Sequence, residues 1–329
     1  MPTLENFVRE ALKNKASDIH LVAGSQPFLR LSGKLQPLRA TALTKKEVDD
    51  IVTSVLTKTQ ISDLSTRGDV DAGLIVDDVS LRINIHKQAR GLGLAIRLIP
   101  AVIPSPEDLG FDQALLDIPN LKDGFVLISG PAGSGKTTTL AALVQMMNKG
   151  EARHIITLED PIEYHFDEEN CLIEQRQLGT DFSTFADGLR HVLRQDPNVI
   201  VVGEMRDPET IALALTAAET GHLVLSTVHA PNTAEVIERI VNVFSGAQQQ
   251  QVLVQLAATL RLVVAQRLVP AQAGGVVAVR EILVPNAAVQ NAIRQNNLAT
   301  IRSAIQTGRR QGMVTMEQAM NELIKAKII

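Results

Sequence analysis

"GFVLISGPAGSGKTTTLAALVQMMNKG", residues 124–150, decides how the rest of this chain folds. The apolar run from Phe125 to Ile128 reads as a buried strand, and the segment from Lys136 reads as a helix that stops at Gly150. Between them, residues 130–137 match the phosphate-loop pattern G-x-x-x-x-G-K-[ST], with Gly130, Gly135, Lys136 and Thr137 in place. Glycines let backbone N–H groups close around phosphates, and the helix N-terminus adds partial positive charge. The expected cradle runs through Gly130, Pro131, Ala132, Gly133, Ser134, Gly135, Lys136, Thr137 and Thr138. In such loops the lysine reaches the β- and γ-phosphates and the threonine hydroxyl ligates Mg²⁺.

Downstream, strands and helices alternate. "HIITLED", "NVIVVGE" and "HLVLSTVH" are apolar strands, with helices in "STFADGLRHVLRQD" and "DPETIALALTAAETG". Apolar strands separated by helices predict a parallel sheet covered on both faces. "NVIVVGEMRD", residues 198–207, ends in Gly203 and Glu204 where many phosphate-loop ATPases carry an Asp that helps hold Mg²⁺. Ligands gather at the carboxyl ends of parallel strands. Glu204 is therefore expected near the γ-phosphate, placed to orient or deprotonate an attacking water.

"ITLEDPIEYHF" adds Glu159, Asp160 and Glu163 after a neighbouring strand, candidates for Mg²⁺ hydration (Glu159 and Glu163), for catalytic positioning of water (Glu163) or for nucleotide contact (Glu159 and Asp160). In "TGHLVLSTVHAPNTAEVIERI", His229 follows a strand and is placed to sense a γ-phosphate, while His222 precedes it. His222 is equally well explained as a core histidine or a nucleotide contact.

Composition narrows the class. A net charge of −4 and a pI near 6.0, with no Trp and one Tyr, argue against a dedicated nucleic-acid binder. One cysteine, Cys171, excludes an internal disulfide and a multi-cysteine metal cluster. No apolar run reaches the ~18 residues of a spanning helix. The acid-bearing N-terminus resembles an amphipathic helix rather than a signal peptide, so a cytoplasmic location is expected.

Residues 1–100 carry a different pattern. Short strands are expected in "SDIHLVAG", "PFLRLSGKLQPL", "DVDAGLIV", "VSLRINIHKQ" and "GLGLAIRLIP", and a helix in "TKKEVDDIVTSVL" opening on a Thr44/Glu47 capping box. Pro100, Pro104 and Pro106 mark residues 101–112 as a linker. A core of residues 113–285 then follows, with a strand of a terminal hairpin in "GGVVAVREILVP" and a helical region over 286–329.

The phosphate loop, "ITLEDPIEYHF", "NVIVVGEMRDPET" and "TGHLVLSTVHAPNTAEVIERI" resemble the Walker A, Asp, Walker B and His boxes of the secretion and type IV pilus motor ATPases. "ASDIHLVAGSQPFLRLSGKL" is similar to the start of the retraction branch, the PilT family. The resemblance implies a PAS-like α+β domain followed by a RecA-like α/β ATPase domain, ATP and Mg²⁺ as ligands, and a homo-hexameric ring. It also implies partners in an inner-membrane pilus platform and the pilus machinery, no nucleic acid, and only peripheral membrane contact. The family's C-terminal AIRNLIRE-like helix is matched at Ala292, Ile293 and Arg294, but the following four residues differ, with Asn296 and Asn297 among them. That departure leaves a paralogue or accessory motor open beside a retraction motor. A scaffold gated by ATP with little turnover and a RecA-like nucleic-acid translocase are the readings from other classes.

Phosphoryl transfer often uses an arginine finger. A hairpin turning at Ala89–Arg90 would set Arg82 directly opposite Arg97, an unfavourable like-charge pair that a bound anion would relieve. The resemblance implies that arginines of the N-terminal domain close the nucleotide site, which makes Arg82 and Arg97 the expected partners of the γ-phosphate.

Overall fold

In the computed structural model the described residues are 3–31, 33–38, 41–77, 79–99 and 102–329. The chain forms two compact units, Met1–Val102 with Pro161–His165, and Ile103–Asp160 with Phe166–Ile329. Pro100 and Ala101, at the start of the expected linker, lie outside the described residues.

The first unit contains α1 (Leu4–Lys13), β1 (Asp18–Val22), β2 (Phe28–Leu31), β3 (Lys34–Pro37), α2 (Lys45–Val55), α3 (Lys58–Arg67), β4 (Asp69–Val76), β5 (Val79–Gln88) and β6 (Gly91–Ile99). Its six-stranded antiparallel sheet has the order β3-β2-β1-β6-β5-β4. In α1, Leu4, Phe7, Val8 and Ala11 recur at helical spacing and are buried. The expected Thr44/Glu47 capping box opens α2. The helix α3 has no counterpart in the apolar pattern, because Leu64 is its one buried residue; a Thr57/Gln60 capping box starts it. In β5, Leu81, Ile83 and Ile85 face the core and Arg82 faces out. Gln88 pairs with Gly91 around the two-residue turn, and Arg82 stands opposite Arg97 as the equal distances from the turn predict.

The second unit contains α4 (Gln113–Leu116), β7 (Gly124–Ser129), α5 (Lys136–Asn148), β8 (His154–Glu159), β9 (Leu172–Gln177), α6 (Phe185–Val192), β10 (Val199–Val202), α7 (Pro208–Glu219), β11 (Leu223–Val228), α8 (Thr233–Asn242), α9 (Gly246–Thr259), β12 (Leu260–Pro270), β13 (Val276–Leu283), α10 (Ala287–Arg294), α11 (Leu298–Thr307) and α12 (Met316–Lys325). Its sheet has the order β13-β12-β7-β11-β10-β8-β9, parallel throughout except for the antiparallel β12–β13 hairpin. The β7 strand shows why both faces are covered. Phe125 and Leu127 pack among residues of α6 through α11, and Val126 and Ile128 pack among residues of α4 and α5. This is a RecA-like α/β layer, and it sets the carboxyl ends of β7, β11 and β10 side by side.

Of the C-terminal helices, α10 and α11 belong to the same core. Val289, Ile293, Ile301 and Ile305 join the cluster that contains Leu127 and Val202, so residues 286–329 have no separate core. The departure from the family helix has a local cause. Asn296 takes a positive φ of 51°, and Asn297 caps α11 by accepting from the Thr300 N–H. Both asparagines are suited to these positions and poorly suited to a helix interior. Asn297→Ala is expected to cost about 1 kcal/mol, the usual value of a lost N-cap. Urea unfolding followed by circular dichroism measures this, and an unchanged midpoint would show that the cap contributes nothing.

Candidate active site

Gly130 follows the last residue of β7 with a φ of 145°, and a Cβ there would lie 2.2 Å from the Gln266 carbonyl oxygen and 2.5 Å from Ser134 Oγ. Only glycine fits, because the loop must pass that close to β12. The helix α5 begins at Lys136 with Gly135 as its N-cap, which offers no side chain to its free N–H groups. Those donors remain for an anion. Ser134 Oγ is buried and has no hydrogen-bond partner among the described residues. An uncapped helix start, an orphaned hydroxyl and a lysine at the mouth of the loop together fit a phosphate ligand.

Lys136 Nζ donates to the carbonyls of Gly130 and Pro131, each at 3.0 Å. It also lies 3.4 Å from His229 Nδ1, and His229 Nε2 lies 3.2 Å from Glu204 Oε1. An ammonium can only donate, so Nδ1 must accept and Nε2–H must donate to the carboxylate. His229 is therefore the neutral Nε2–H tautomer, bridging the lysine and the acid. Burial lowers its pKa from 6.5 and the Lys136 charge lowers it further, which agrees with that tautomer. Burial also lowers the Lys136 pKa, against the pull of Glu204.

Burial alone would raise the Glu204 pKa, but Arg206 outweighs it, helped by His229 and Lys136, and the carboxyl sits below its ordinary 4.5. Arg206 Nη2 donates to Glu204 Oε2 at 2.6 Å. Glu204 is thus an ionised acceptor at neutral pH, suited to hold and orient a water. Gly203 also has a reason: a Cβ there would meet the Leu158 carbonyl of β8 at 3.2 Å, leaving little room for an aspartate at that position. The acid comes one residue later, where the chain has cleared β8.

The topology separates His222 from His229. In the register of β11 against β7, Leu223 pairs with Gly124 and Val228 with Ser129. His229 therefore stands level with the phosphate loop, while His222 stands at the opposite, amino end of the strand. There His222 Nδ1 lies 3.0 Å from the Ala217 carbonyl oxygen, closing the end of α7. Periodicity locates both histidines beside one strand, but the direction of the parallel sheet separates them by its full length.

The acidic cluster also divides. Glu159, ending β8, accepts from Thr157 Oγ1 at 2.7 Å and from Gln175 Nε2 at 3.1 Å. Glu163 lies in the segment grouped with the first unit and pairs with Arg82 Nη1 at 3.7 Å. Arg97 Nε pairs with Asp18 at 3.1 Å. Each of the opposed arginines thus has a carboxylate partner, Asp18 being shared with Arg30, and their pairing needs no additional anion.

Residues that sequence reasoning missed are Arg206, Gln266 and Arg280. The signal for the last two is a polar residue inside an apolar strand, "LRLVVAQRLVP" and "VVAVREIL", since such groups are buried only with partners.

The state of His229 sets a pH expectation. Protonation would turn Nδ1 into a donor facing the Lys136 ammonium and break the bridge. Because the pKa lies below 6.5, kcat/KM for a phosphate substrate is expected to hold level across neutral pH and to fall only below 6.5. A pH–rate profile checks it. His229→Gln should lack that acid limb, and an unchanged limb would remove His229 from the assignment.

The sequence matches the Type II/IV secretion system protein family over residues 1–327. It is 39% identical to the type IV pilus retraction ATPase PilT of Pseudomonas aeruginosa over 318 residues, covering 96% of this chain and 92% of that protein. It is also 39% identical to the uncharacterized protein YggR of Escherichia coli K12 over 317 residues, covering 96% of each. A crystal structure of the pilus retraction motor PilT with bound ADP superposes with a TM-score of 0.92 at 40% identity, covering 100% of this chain and 95% of that one. The chain belongs to the type II/IV secretion system protein family and, within it, to the PilT-type ATPases.

Proposed function

We propose that this chain is the ATP-hydrolysing subunit of a homo-hexameric motor that powers type IV pilus retraction, and hence twitching motility. The observation that carries the proposal is the meeting of Lys136, His229 and Glu204 at the carboxyl ends of β7, β11 and β10. Full-length similarity to a retraction ATPase supports the direction of the work.

In this reading the backbone N–H groups of Gly130 through Thr138 surround the phosphates, and Lys136 leaves its own loop carbonyls for the β- and γ-phosphate oxygens. Mg²⁺, when bound, neutralises charge on those oxygens, and the Thr137 hydroxyl with Glu159 through water would hold it. Glu204 accepts a hydrogen bond from the attacking water and orients it in line with the γ-phosphate. His229 reports on the same site, because a γ-phosphate drawing Lys136 away removes the donor to Nδ1. Arg82 and Arg97 act in the assembled ring, exchanging their carboxylates for the γ-phosphate.

Among the described residues no helix is long and apolar enough to cross a membrane. We place the motor at the inner face of the cytoplasmic membrane, held peripherally by a pilus platform protein. Steady-state phosphate release, with Lys136→Ala as control, tests the enzyme; negligible release by the parental protein would favour a gated scaffold, and stimulation by DNA or RNA would favour a translocase. A deletion strain that keeps its pili but loses twitching identifies a retraction motor. An accessory motor is the second reading. It is favoured by the Asn296–Asn297 break between α10 and α11 and by the equal identity to YggR. Its mark is a deletion strain with normal piliation and normal twitching.

A further inference from the structure

Gln266 and Arg280 are cross-strand neighbours in the β12–β13 hairpin, only 2% and 3% exposed. Their bonds run from the connecting segment that follows the first unit to the phosphate loop. Arg280 Nη2 and Nη1 donate to the carbonyls of Leu109 and Gly110, each at 2.9 Å, and its guanidinium lies 5.2 Å from the Phe111 ring centroid. Arg280 Nε donates to Gln266 Oε1 at 3.0 Å, as does Thr139 Oγ1 at 2.9 Å. Gln266 Nε2 in turn donates to the Ser134 carbonyl at 2.6 Å, in the middle of the loop.

The two donors to Gln266 Oε1 are not equivalent. A threonine hydroxyl can rotate to accept, so Thr139 tolerates either orientation of the Gln266 amide. A guanidinium can only donate, so Arg280 admits only the orientation that turns Oε1 toward it. The same orientation turns Nε2 toward Ser134. With the amide flipped, Gln266 Oε1 would face the Ser134 carbonyl oxygen, two acceptors in a buried site with no donor between them. Arg280 is itself held from behind by the two connector carbonyls, so its Nε–H has one direction available.

We infer that Arg280 is a positioning residue for the phosphate loop: by fixing the Gln266 amide it fixes the Ser134 carbonyl and, with it, the loop conformation that receives the nucleotide. The chemistry at the far end of this relay is a nucleoside polyphosphate, so the inference rests on the reading under Proposed function. It also makes residues 109–111 part of what shapes the loop, since the Leu109 and Gly110 carbonyls and the Phe111 ring hold the arginine.

The test is MgADP binding by isothermal titration calorimetry, with thermal unfolding of the same samples as a check on folding. Arg280→Met should bind MgADP about tenfold more weakly, the loss expected when a charged hydrogen bond no longer holds the loop. Gln266→Leu should show a similar loss. In the Gln266→Leu background, Arg280→Met should add less than about twofold, because both act through one bond to Ser134. Arg280→Lys, whose ammonium also only donates, should restore affinity to within about threefold of the parent. A merely structural arginine would give additive losses and no rescue by lysine, and either result overturns the inference. Should Arg280→Met fail to fold, Arg280→Gln replaces it: its amide can accept as well as donate, so the same loss is expected, and parental affinity would overturn the inference. A parental protein that does not bind MgADP refutes the nucleotide reading. Parental binding matched by folded Arg280→Met refutes only the relay.

Discussion

Glu204→Gln is expected to lower the rate of ATP hydrolysis by about 10²–10⁴-fold while MgATP stays bound, the usual cost of losing a group that accepts from the attacking water. The expectation follows from the side chain's partners. Its Oε2 accepts from Arg206 and its Oε1 from His229, so glutamine keeps the size of the side chain, removes the charge and leaves an oxygen for only one of the two donors. Substrate affinity depends on the loop and on Lys136, which glutamine at 204 does not touch. The effect therefore belongs to kcat, with the dissociation constant for MgATP close to the parental value. Single-turnover hydrolysis and equilibrium binding separate the two. Parental turnover in this variant would mean that another group positions the water. Lost binding would mean that Glu204 supports the loop rather than the chemistry. Lys136→Ala offers the contrast, since it should weaken both binding and chemistry.

Alanine at Arg82 or Arg97 is expected to reduce kcat by about 10³-fold or more, the range of an arginine finger, while ring assembly persists. The geometry makes this exchange inexpensive. Arg82 and Arg97 are opposed on β5 and β6, with side chains 46% and 67% exposed, and each touches one carboxylate, Glu163 or Asp18. Exposed ion pairs of this kind stabilise by at most about 1 kcal/mol. A γ-phosphate carries more charge than a carboxylate and can replace it without a large loss to the fold. For the same reason alanine should change thermal stability little, which distinguishes a catalytic loss from a folding defect. Size-exclusion chromatography with light scattering reports assembly, and kcat at saturating ATP reports the role. Parental kcat in both variants would end the arginine-finger assignment.

Glu163 links this expectation to the divided acidic cluster. "ITLEDPIEYHF" suggests three acids acting together, but Glu159 stays on β8 with Thr157 and Gln175, and Glu163 pairs with Arg82 in the first unit. The proposal accordingly gives the Mg²⁺ to Thr137 and Glu159 and leaves Glu163 to Arg82.

Features written into contiguous residues were legible without coordinates. The loop over Gly130–Thr137, the capping box at Thr44 and the Arg82–Arg97 register around Ala89–Arg90 each depend on backbone geometry within a few residues or on counting from one turn. The parallel sheet was legible for a similar reason, since burial on both faces leaves apolar runs in β7, β10 and β11. The polar helix α3 was not, because a single buried residue leaves no periodic signal.

The site itself needed the tertiary structure. Lys136, Glu204 and His229 meet because β7, β11 and β10 are adjacent and point the same way, and strand order is not encoded in any local pattern. The same order sends His222 to the far end of the sheet, although sequence places it as close to the strand as His229. Gln266 and Arg280 lie over a hundred residues beyond the loop, and they reach it because β12 packs beside β7. Local sequence determined which groups can hold phosphate, because that depends on backbone conformation and residue type. Which charges and hydrogen bonds act on those groups was decided only by strands brought together to bury their apolar faces.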